Sequence, residues 1–385
     1  MKAICFKTVL LVTLCLSLLS CKKNTSNDLI VFDVNMSVPV KTLDIEDVAD
    51  IEYLVLDISD DDYLFSGFAL MSDNYLVCRS GSEFFFFSRS SGKPVSKISR
   101  QGPGPEEYIR TGTFPVYAEM TDDFFNYDGQ SHEITVYGRD GTFKRKFPIL
   151  FSRRTFFPVA IYDYNEEYLL FSGFNLRKED MRDTTFILMS KHDGSTDAIR
   201  IPFEERVTLM YTQGIAASMP YTYFAIRNGK DFLLTDYSSD TVYRFTPDRE
   251  LIPVFVRQPS IQKMETKIFI HSWIETGNYL FFSTQLIDFD WNTGKWPPEK
   301  GYFLEKSSGK FFQTNITMSE YKGKELVLGP SVIHATSSQQ NDIIVWNVLE
   351  LQEANKENKL SGKLKAVTES LSKDDEYVFM ILKFK

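Results

Sequence analysis

The sequence contains few of the residues that build disulfides and metal sites. Its 385 residues include only four cysteines and four histidines. Cys5 and Cys15 lie in an N-terminal apolar segment, which leaves Cys21 and Cys78 for the rest of the chain. No histidine or cysteine pair has the spacing of a zinc site, and no HExxH motif occurs. We therefore expect no metal ion, and we expect Cys78 to be a buried apolar side chain rather than a catalytic thiol.

Sequence signatures of common cofactor enzymes are also missing. The chain has no Walker loop, no dinucleotide-binding fingerprint and no nucleophile elbow, so no cofactor is expected. The 43 basic residues are outnumbered by 52 acidic ones, and the formal net charge is −9. Without a basic stripe to contact phosphates, nucleic acid is not an expected partner.

The N-terminal segment has the pattern of an export signal. Lys2 and Lys7 precede the apolar run Val9–Leu19, which is too short to span a bilayer. The following Leu18-Leu19-Ser20-Cys21 resembles the bacterial lipobox, whose cysteine receives a diacylglycerol. The sequence thus predicts a signal peptide at residues 1–20, lipidation at Cys21 and a flexible tether over residues 21–35. The alternative is an ordinary cleavable signal with an incidental cysteine.

Lipidation at Cys21 predicts attachment to a membrane. We expect the protein to be an outer-membrane lipoprotein of the cell envelope that faces the periplasm. Lys22 and Lys23 follow the cysteine, where surface-exposed lipoproteins often carry acidic residues. Surface exposure remains the alternative.

Aromatic side chains are abundant, at 15% of the chain, and a short pattern recurs among them. An acid or amide followed by a strand-length apolar run begins six times, 44 to 64 residues apart, at Asn74, Asp123, Glu167, Asp231, Asn278 and Asp342. Aromatic and β-branched runs favour strands. Repeats of this size, each holding several strands, are typical of propellers. The pattern predicts an all-β, six-bladed β-propeller with four antiparallel strands per blade over residues 36–385, with two β-sandwiches as the alternative.

The last repeat departs from this pattern. A polar, helix-leaning stretch, residues 350–372, separates its first strand from a final strand at residues 377–382. We therefore expect a short helical insert near the C-terminus and a blade that lacks its fourth strand. Val38–Leu43 or Ile51–Leu56 could supply that strand and close the ring, which would remove both exposed edges.

The segment Gln101-Gly102-Pro103-Gly104-Pro105-Glu106-Glu107-Tyr108 resembles the segment that opens a repeat in NHL-like propellers. Asp123–Asp128 and Ile134–Tyr137 continue in the NHL order. Together with the lipobox, these features make residues 30–385 similar to the six-bladed β-propeller lipoproteins of Bacteroidota. The resemblance implies a propeller fold and an envelope location, and it does not imply a known reaction.

Candidate ligand-binding residues follow from the predicted links between blades, because propellers usually bind ligands on the face that carries these links. The link after the first blade supplies Gln101, Glu106, Glu107, Tyr108 and Arg110. Its prolines remove N–H donors, so the loop is not a phosphate loop. In the next link, Arg153 and Arg154 could bind a carboxylate or sulfate, or could form a solvated pair.

The longest link, residues 203–223, is a further candidate, since long loops in compact folds are usually functional. It carries aromatic and methionine side chains that could form a sugar- or peptide-binding lip, or could pack on the adjoining blades: Met210, Tyr211, Met219, Tyr221 and Tyr223. His271 and His334 fall on or beside inner strands, either as hydrogen-bonded wall residues or as ligand contacts.

A stretch from Asp288 to Glu299 partly matches a calcium-binding EF-hand loop. Its glycine, Gly294, stands at position 7 instead of 6, and two prolines stiffen the exit. A blade insertion with an acidic tip explains it better than a calcium site.

The sequence thus predicts a cell-envelope lipoprotein with a non-catalytic propeller that binds a glycan, peptide or protein partner. The alternative is a propeller hydrolase or lyase that acts on glycans or peptides at the channel mouth, because scattered catalytic residues leave no linear motif.

Overall fold

The computed structural model describes residues 29–385, apart from 113, 152–155, 175–184, 221–223, 329–333 and 336–340. The side chains of residues 61, 272, 273, 334, 335 and 341 are likewise outside the description. The described chain begins with strands β1 Ile30–Asp33 and β2 Val40–Asp44, helix α1 Ile45–Val48 and strand β3 Ala49–Val55. The first strand therefore lies inside the segment that the sequence predicts to be a tether.

Five blades follow, and each consists of four consecutive antiparallel strands. The first blade contains β4 Gly67–Met71, β5 Tyr75–Ser80, β6 Glu83–Ser88 and β7 Pro94–Ile98. The second contains β8 Val116–Ala118, β9 Asp123–Asp128, β10 Glu133–Tyr137 and β11 Phe143–Pro148. The third contains β12 Phe157–Asp163, β13 Tyr168–Phe174, β14 Phe186–Ser190 and β15 Thr196–Ile199.

A separate two-stranded hairpin, β16 Tyr211–Gln213 and β17 Ala216–Ser218, lies in the link before the fourth blade. The fourth blade contains β18 Ala225–Asn228, β19 Asp231–Thr235, β20 Thr241–Phe245 and β21 Leu251–Gln258. The fifth contains β22 Ile268–Glu275, β23 Tyr279–Leu286, β24 Lys300–Glu305 and β25 Lys310–Thr317, and β26 Glu325–Leu326 pairs with the last of these. Short 3-10 turns occur at Asp61–Tyr63, Glu119–Thr121 and Ile261–Lys263.

The chain ends join in a three-stranded sheet. The final elements are β27 His334–Ala335, β28 Asn341–Asn347, α2 Val348–Lys356, α3 Gly362–Ser370 and β29 Tyr377–Phe384. The order in this closing sheet is β28-β29-β3, so the N-terminal strand β3 pairs with the C-terminal strand. The two helices occupy the place of the predicted helical insert.

The prediction of six four-stranded blades is wrong in its count, because the structure has five. The sixth repeat contributes only the two strands that flank the helical insert, and the described closing sheet has three strands. Of the two segments considered for closure, the one that joins this sheet is β3, which overlaps Ile51–Leu56. The other, β2, instead pairs in parallel with β25 of the fifth blade.

The N-terminal strands cover the outer edges of two blades. β1 pairs in parallel with β21, and β2 with β25. Phe32 of β1 is 1% exposed, and its ring lies 4.8 Å from that of Phe282 and 4.9 Å from that of Phe311. The first described residues are therefore part of the core between the fourth and fifth blades.

Aromatic and aliphatic side chains fill the spaces between neighbouring sheets. Phe84 of the first blade and Phe124 of the second are fully buried, with their ring centroids 4.7 Å apart. Such contacts explain the high aromatic content, because each ring buries a large apolar area on a strand. Cys78 is also fully buried, and burial raises the pKa of its thiol well above the usual value.

The closing sheet packs directly on the first blade. Gly92, in the turn between β6 and β7, has a φ of +71°, and a Cβ atom built there would lie 2.0 Å from the carbonyl oxygen of Val55. The amide of Asp57 donates to the carbonyl of Gly92 at 2.9 Å. A side chain at position 92 would push the end of β3 away from the neighbouring blade.

Candidate functional site

The antiparallel order of the strands places two sets of connections at the same end of each blade. These are the links from one blade to the next and the loops between the second and third strands of a blade. We call this end of the molecule the link face. It carries the predicted link at Gln101–Arg110, the long link 203–223 and the insertion 287–299.

The link between the first and second blades is packed by its own candidate residues. Tyr108 is 1% exposed, its hydroxyl donates to the carbonyl of Ser82, and burial raises its pKa to about 12. The Glu107 carboxylate accepts a hydrogen bond from the amide of Gly104 at 2.8 Å. Tyr137 donates to the carbonyl of Glu106 at 2.7 Å. These contacts explain why the link needs its glycines and its aromatic residue.

Three of the candidates in this link remain open to solvent. Gln101, Glu106 and Arg110 are exposed. Gln101 donates to the carbonyl of Ile109 at 2.9 Å. Ligand binding by this link stays a prediction. Four other candidates, Arg153, Arg154, Tyr221 and the side chain of His334, lie outside the described residues, as does the predicted lipidation site Cys21.

The link face has a cleft between the third and fourth blades, formed largely by the long link. Its cavity has a volume of about 60 Å³ and lies in a wider concavity of about 570 Å³ that includes open solvent. Its walls combine apolar side chains with a few polar groups: Phe174, Thr185, Arg206, Val207, Thr208, Leu209, Met210, Met219, Phe224, Asp236, Tyr237 and Ser238. This combination is typical of small-ligand sites.

An ion pair lies in the wall of the cleft. Arg206 Nη1 lies 2.6 Å from one carboxylate oxygen of Asp236 and 2.8 Å from the other. The Asp236 side chain is only 3% exposed and that of Arg206 is 15% exposed. Asp236 also accepts hydrogen bonds from the Thr185 hydroxyl and the Ser238 amide. The carboxylate thus holds the long link against the loops of both blades.

Aromatic rings continue the wall towards the fifth blade. Tyr237 packs on Phe224, with ring centroids 5.1 Å apart, and on Phe269 of β22 at 4.4 Å. Beside the cleft, Tyr211 of the hairpin lies 5.3 Å from Trp296 of the insertion 287–299. Met210 and Met219, two predicted lip residues, line the cleft as well. The long link and the insertion therefore form one continuous surface.

His271 lies near this wall, beside the last residue of the insertion, Glu299. Its side chain is 1% exposed, and its Nε2 atom is 3.5 Å from a carboxylate oxygen of Glu299. The other oxygen of Glu299 accepts a hydrogen bond from the Ser283 hydroxyl at 2.8 Å. The ring of Tyr237 is 6.2 Å away. A histidine, a carboxylate and a hydroxyl thus meet where the insertion returns to β24.

The environment of His271 predicts a pH dependence of stability. Burial lowers its pKa, and the Glu299 charge offsets only part of that effect. The unfolded histidine titrates near 6.5, so below this pH the unfolded chain binds a proton that the folded chain does not. Stability should therefore fall as the pH drops through about 6.5, by up to about 1.4 kcal/mol per pH unit.

Urea unfolding at about pH 7.5 and about pH 5.5 measures this effect. In a His271→Gln variant, the difference in unfolding free energy between the two pH values should be smaller than in the unchanged chain. The same difference in both proteins would show that His271 makes no contribution.

The stretch that resembles an EF-hand forms turns within the insertion. The Asp290 carboxylate accepts hydrogen bonds from the Asn292 amide at 2.9 Å and from the Thr293 hydroxyl at 2.8 Å. Throughout the described residues, no group of three His, Cys, Asp or Glu side chains is arranged to hold a metal ion. The insertion instead supplies Trp296 and Glu299 to the link face.

Several residues of the cleft were not identified from the sequence. Arg206 and Asp236 come from different loops, and neither belongs to a recognisable motif. The sequence feature that could have identified Asp236 is its position, because it begins the loop after β19, on the same face as the long link. The sequence indicates Glu299 only as a possible calcium ligand.

Comparison with known families and structures gives a fold and no activity. A family model described as a domain of unknown function (DUF4934) matches residues 29–383. A crystal structure of a Bacteroides fragilis protein that is described as exported aligns with a TM-score of 0.60 at 15% identity, covering 93% of this chain and 99% of that one. No curated protein sequence matches the chain.

Two other solved structures are less similar. A member of the DUF4221 family from Bacteroides vulgatus aligns with a TM-score of 0.49 at 10% identity, covering 88% of this chain and 97% of that one. Virginiamycin B lyase from Staphylococcus aureus aligns with a TM-score of 0.35 at 9% identity, covering 70% and 94%. Because both TM-scores are below 0.5, neither similarity indicates a function for this chain.

Proposed function

The chain belongs to the DUF4934 family, a domain family of unknown function, and we propose that it is an envelope protein that binds a ligand on its link face. The observation that carries this proposal is the cleft between the third and fourth blades. It has apolar walls, and the buried pair of Arg206 and Asp236 holds the long link in place. A preformed concave site with few polar groups is the usual form of a binding site.

The proposal includes an attachment to the outer membrane through a lipid on Cys21. The lipobox-like sequence supports it. The similarity to a protein described as exported is consistent with an envelope location. Among the described residues, no helix has the length and apolarity to cross a bilayer. We place the protein on the periplasmic side, with the tether leading to β1 on the rim of the fourth blade.

The proposed ligand is a glycan, a peptide or a protein segment. Met210, Met219 and Phe224 offer apolar contacts, while Thr208 and Ser238 offer hydrogen-bonding groups. Aromatic and methionine side chains suit ligands with mixed apolar and polar surfaces. The proposed role is binding without catalysis.

Filling the cleft should remove binding. We expect Leu209→Trp to abolish or strongly weaken the binding of ligands identified on a glycan and peptide array, because the larger side chain occupies the space between the blades. With methyl-labelled methionine, the ligands should shift the NMR signals of Met210 and Met219. The measurement is affinity by titration calorimetry, together with these spectra.

Met120 provides the matched control. It is 91% exposed and lies in the turn before β9, at the end of the blade opposite the link face. Met120→Trp should leave the affinity unchanged. In spectra of the unchanged chain, the ligands should not shift the Met120 signal. Binding that survives Leu209→Trp, or that shifts Met120 and neither cleft methionine, would refute the proposed site.

A second candidate function is hydrolysis or elimination on a glycan or peptide. The meeting of His271, Glu299 and Ser283 favours it, since a carboxylate beside a histidine can transfer protons. Mass spectrometry of array ligands after incubation separates the two functions. An unchanged ligand supports binding alone, and a cleaved ligand supports the enzyme.

A further inference from the structure

The hairpin beside the cleft has an unusual composition. Residues 207–219 contain no charged side chain, although 25% of the whole chain is charged. The hairpin strands β16 and β17 pair with each other and with no other strand in the described ranges. Ile215 at the tip is fully exposed, and Met210 just before the hairpin is 42% exposed. An uncharged, exposed hairpin therefore stands on the link face.

The geometry of the turn shows which backbone groups point outwards. Gly214 has a φ of +59° at the first of two turn residues, as a tight two-residue hairpin requires. Gln213 and Ala216 flank the turn and form a hydrogen-bonded pair. Hydrogen-bonded and non-hydrogen-bonded pairs alternate along a hairpin. The next pair, Thr212 and Ala217, therefore directs its N–H and C=O groups away from the hairpin. Each edge thus offers one donor and one acceptor at its centre.

The hairpin is held in a fixed position. Tyr211 packs on Trp296 of the insertion, and Trp296 in turn packs on Phe289, with ring centroids 4.9 Å apart. Met210, immediately before β16, lines the cleft. An extended chain that pairs with the hairpin can therefore place alternate side chains against the cleft.

The outer strands of the first three blades are protected against pairing, and the hairpin is not. β7 carries Pro94 and Lys97, β11 carries three consecutive basic residues, Lys144, Arg145 and Lys146, and β15 carries Asp197. Charges and proline on edge strands prevent the addition of another strand. The hairpin has neither, so this difference marks it as an edge that accepts a partner.

We infer that the hairpin β16–β17 binds an extended, uncharged peptide segment by adding it as a third strand. The inference rests on the proposed function and names its ligand class. A backbone donor and acceptor on one exposed residue match the backbone of an added strand, which a glycan or a lipid does not have. The absence of charge on the hairpin selects segments with small or apolar side chains, two of which can reach Met210 and Met219.

The test uses peptides selected by the full chain from a phage-displayed library of random dodecapeptides, then synthesised. Each peptide is methylated on one backbone nitrogen at a time, and its affinity is measured. Strand addition predicts one sensitive position, with binding about tenfold weaker when the N–H that faces the outward carbonyl of the hairpin is methylated and unchanged when either neighbouring nitrogen is methylated. This readout does not depend on the folding of any protein variant.

Protein variants give the matching evidence. A Thr212→Pro and Ala217→Pro double variant loses both outward N–H groups and should bind the peptides at least about tenfold more weakly. A Thr212→Ser and Ala217→Ser double variant keeps those groups and should bind within about twofold of the unchanged chain.

Three results would overturn the inference. These are a methylation profile without a single sensitive position, a library that yields no binding peptide, and a concentration-dependent dimer that the proline variant abolishes. Array glycans that bind, are lost with Leu209→Trp and are unaffected by the proline variant would leave the proposed function standing while refuting the peptide as its ligand.

Discussion

Replacing Phe32 with alanine should lower the free energy of unfolding by about 3–5 kcal/mol, the range for removal of a buried phenylalanine. Phe32 is 1% exposed and contacts the rings of Phe282, Tyr302 and Phe311. It is also the residue through which β1 closes the space between the fourth and fifth blades. Chemical denaturation followed by tryptophan fluorescence measures the loss.

Val31 on the same strand is the control, because it is 47% exposed. Val31→Ala should change the unfolding free energy by less than about 0.5 kcal/mol. If Phe32→Ala had an equally small effect, β1 would not be part of the cooperative fold.

Replacing Asp236 with alanine should destabilise the protein by about 3–5 kcal/mol, as expected when one partner of a buried ion pair is removed. The Arg206 guanidinium would keep its charge in the cleft wall without the carboxylate that lies 2.6 Å away. The Thr185 hydroxyl and the Ser238 amide would lose the same acceptor. Chemical denaturation measures the stability, and the methyl spectra of Met210 and Met219 report on the cleft.

The control for this prediction removes both charges. An Arg206→Met and Asp236→Leu double variant should recover most of the lost stability, because neither charge is then left buried alone. A loss below about 1 kcal/mol in Asp236→Ala would show that the pair is solvated and that the long link is held by other contacts.

Local sequence patterns predicted most of the strands. The apolar runs that follow an acid or amide, where the sequence predicts six repeats to begin, form strands β5, β9, β13, β19, β23 and β28. Each such start identifies one strand, however, and not a complete blade. At Asp342 the strand is present, but helices follow it and the next strand of the sheet comes at residue 377. The count of blades failed there because the pattern has no information about which strands pair.

The candidate site shows the same limit. The length of the link 203–223 predicted that it would be functional, which stays a prediction, and the structure shows that its Met210 and Met219 line a cleft. Asp236 could not be found in this way, because its partner Arg206 belongs to another loop and the pair forms only in the folded ring. Likewise, Glu299 reaches His271 through an insertion whose path the sequence does not specify.

The pairing of the two chain ends determines when the molecule can be completed. Ile30 aligns with Phe255, and Ala49 aligns with Phe384. The partners of residues 30–55 are made hundreds of residues later, and each contact then closes a very long loop. Each of β1, β2 and β3 therefore waits for a partner that is made later, and until that partner appears the newly made chain exposes the unpaired edges of these strands to other chains and to chaperones.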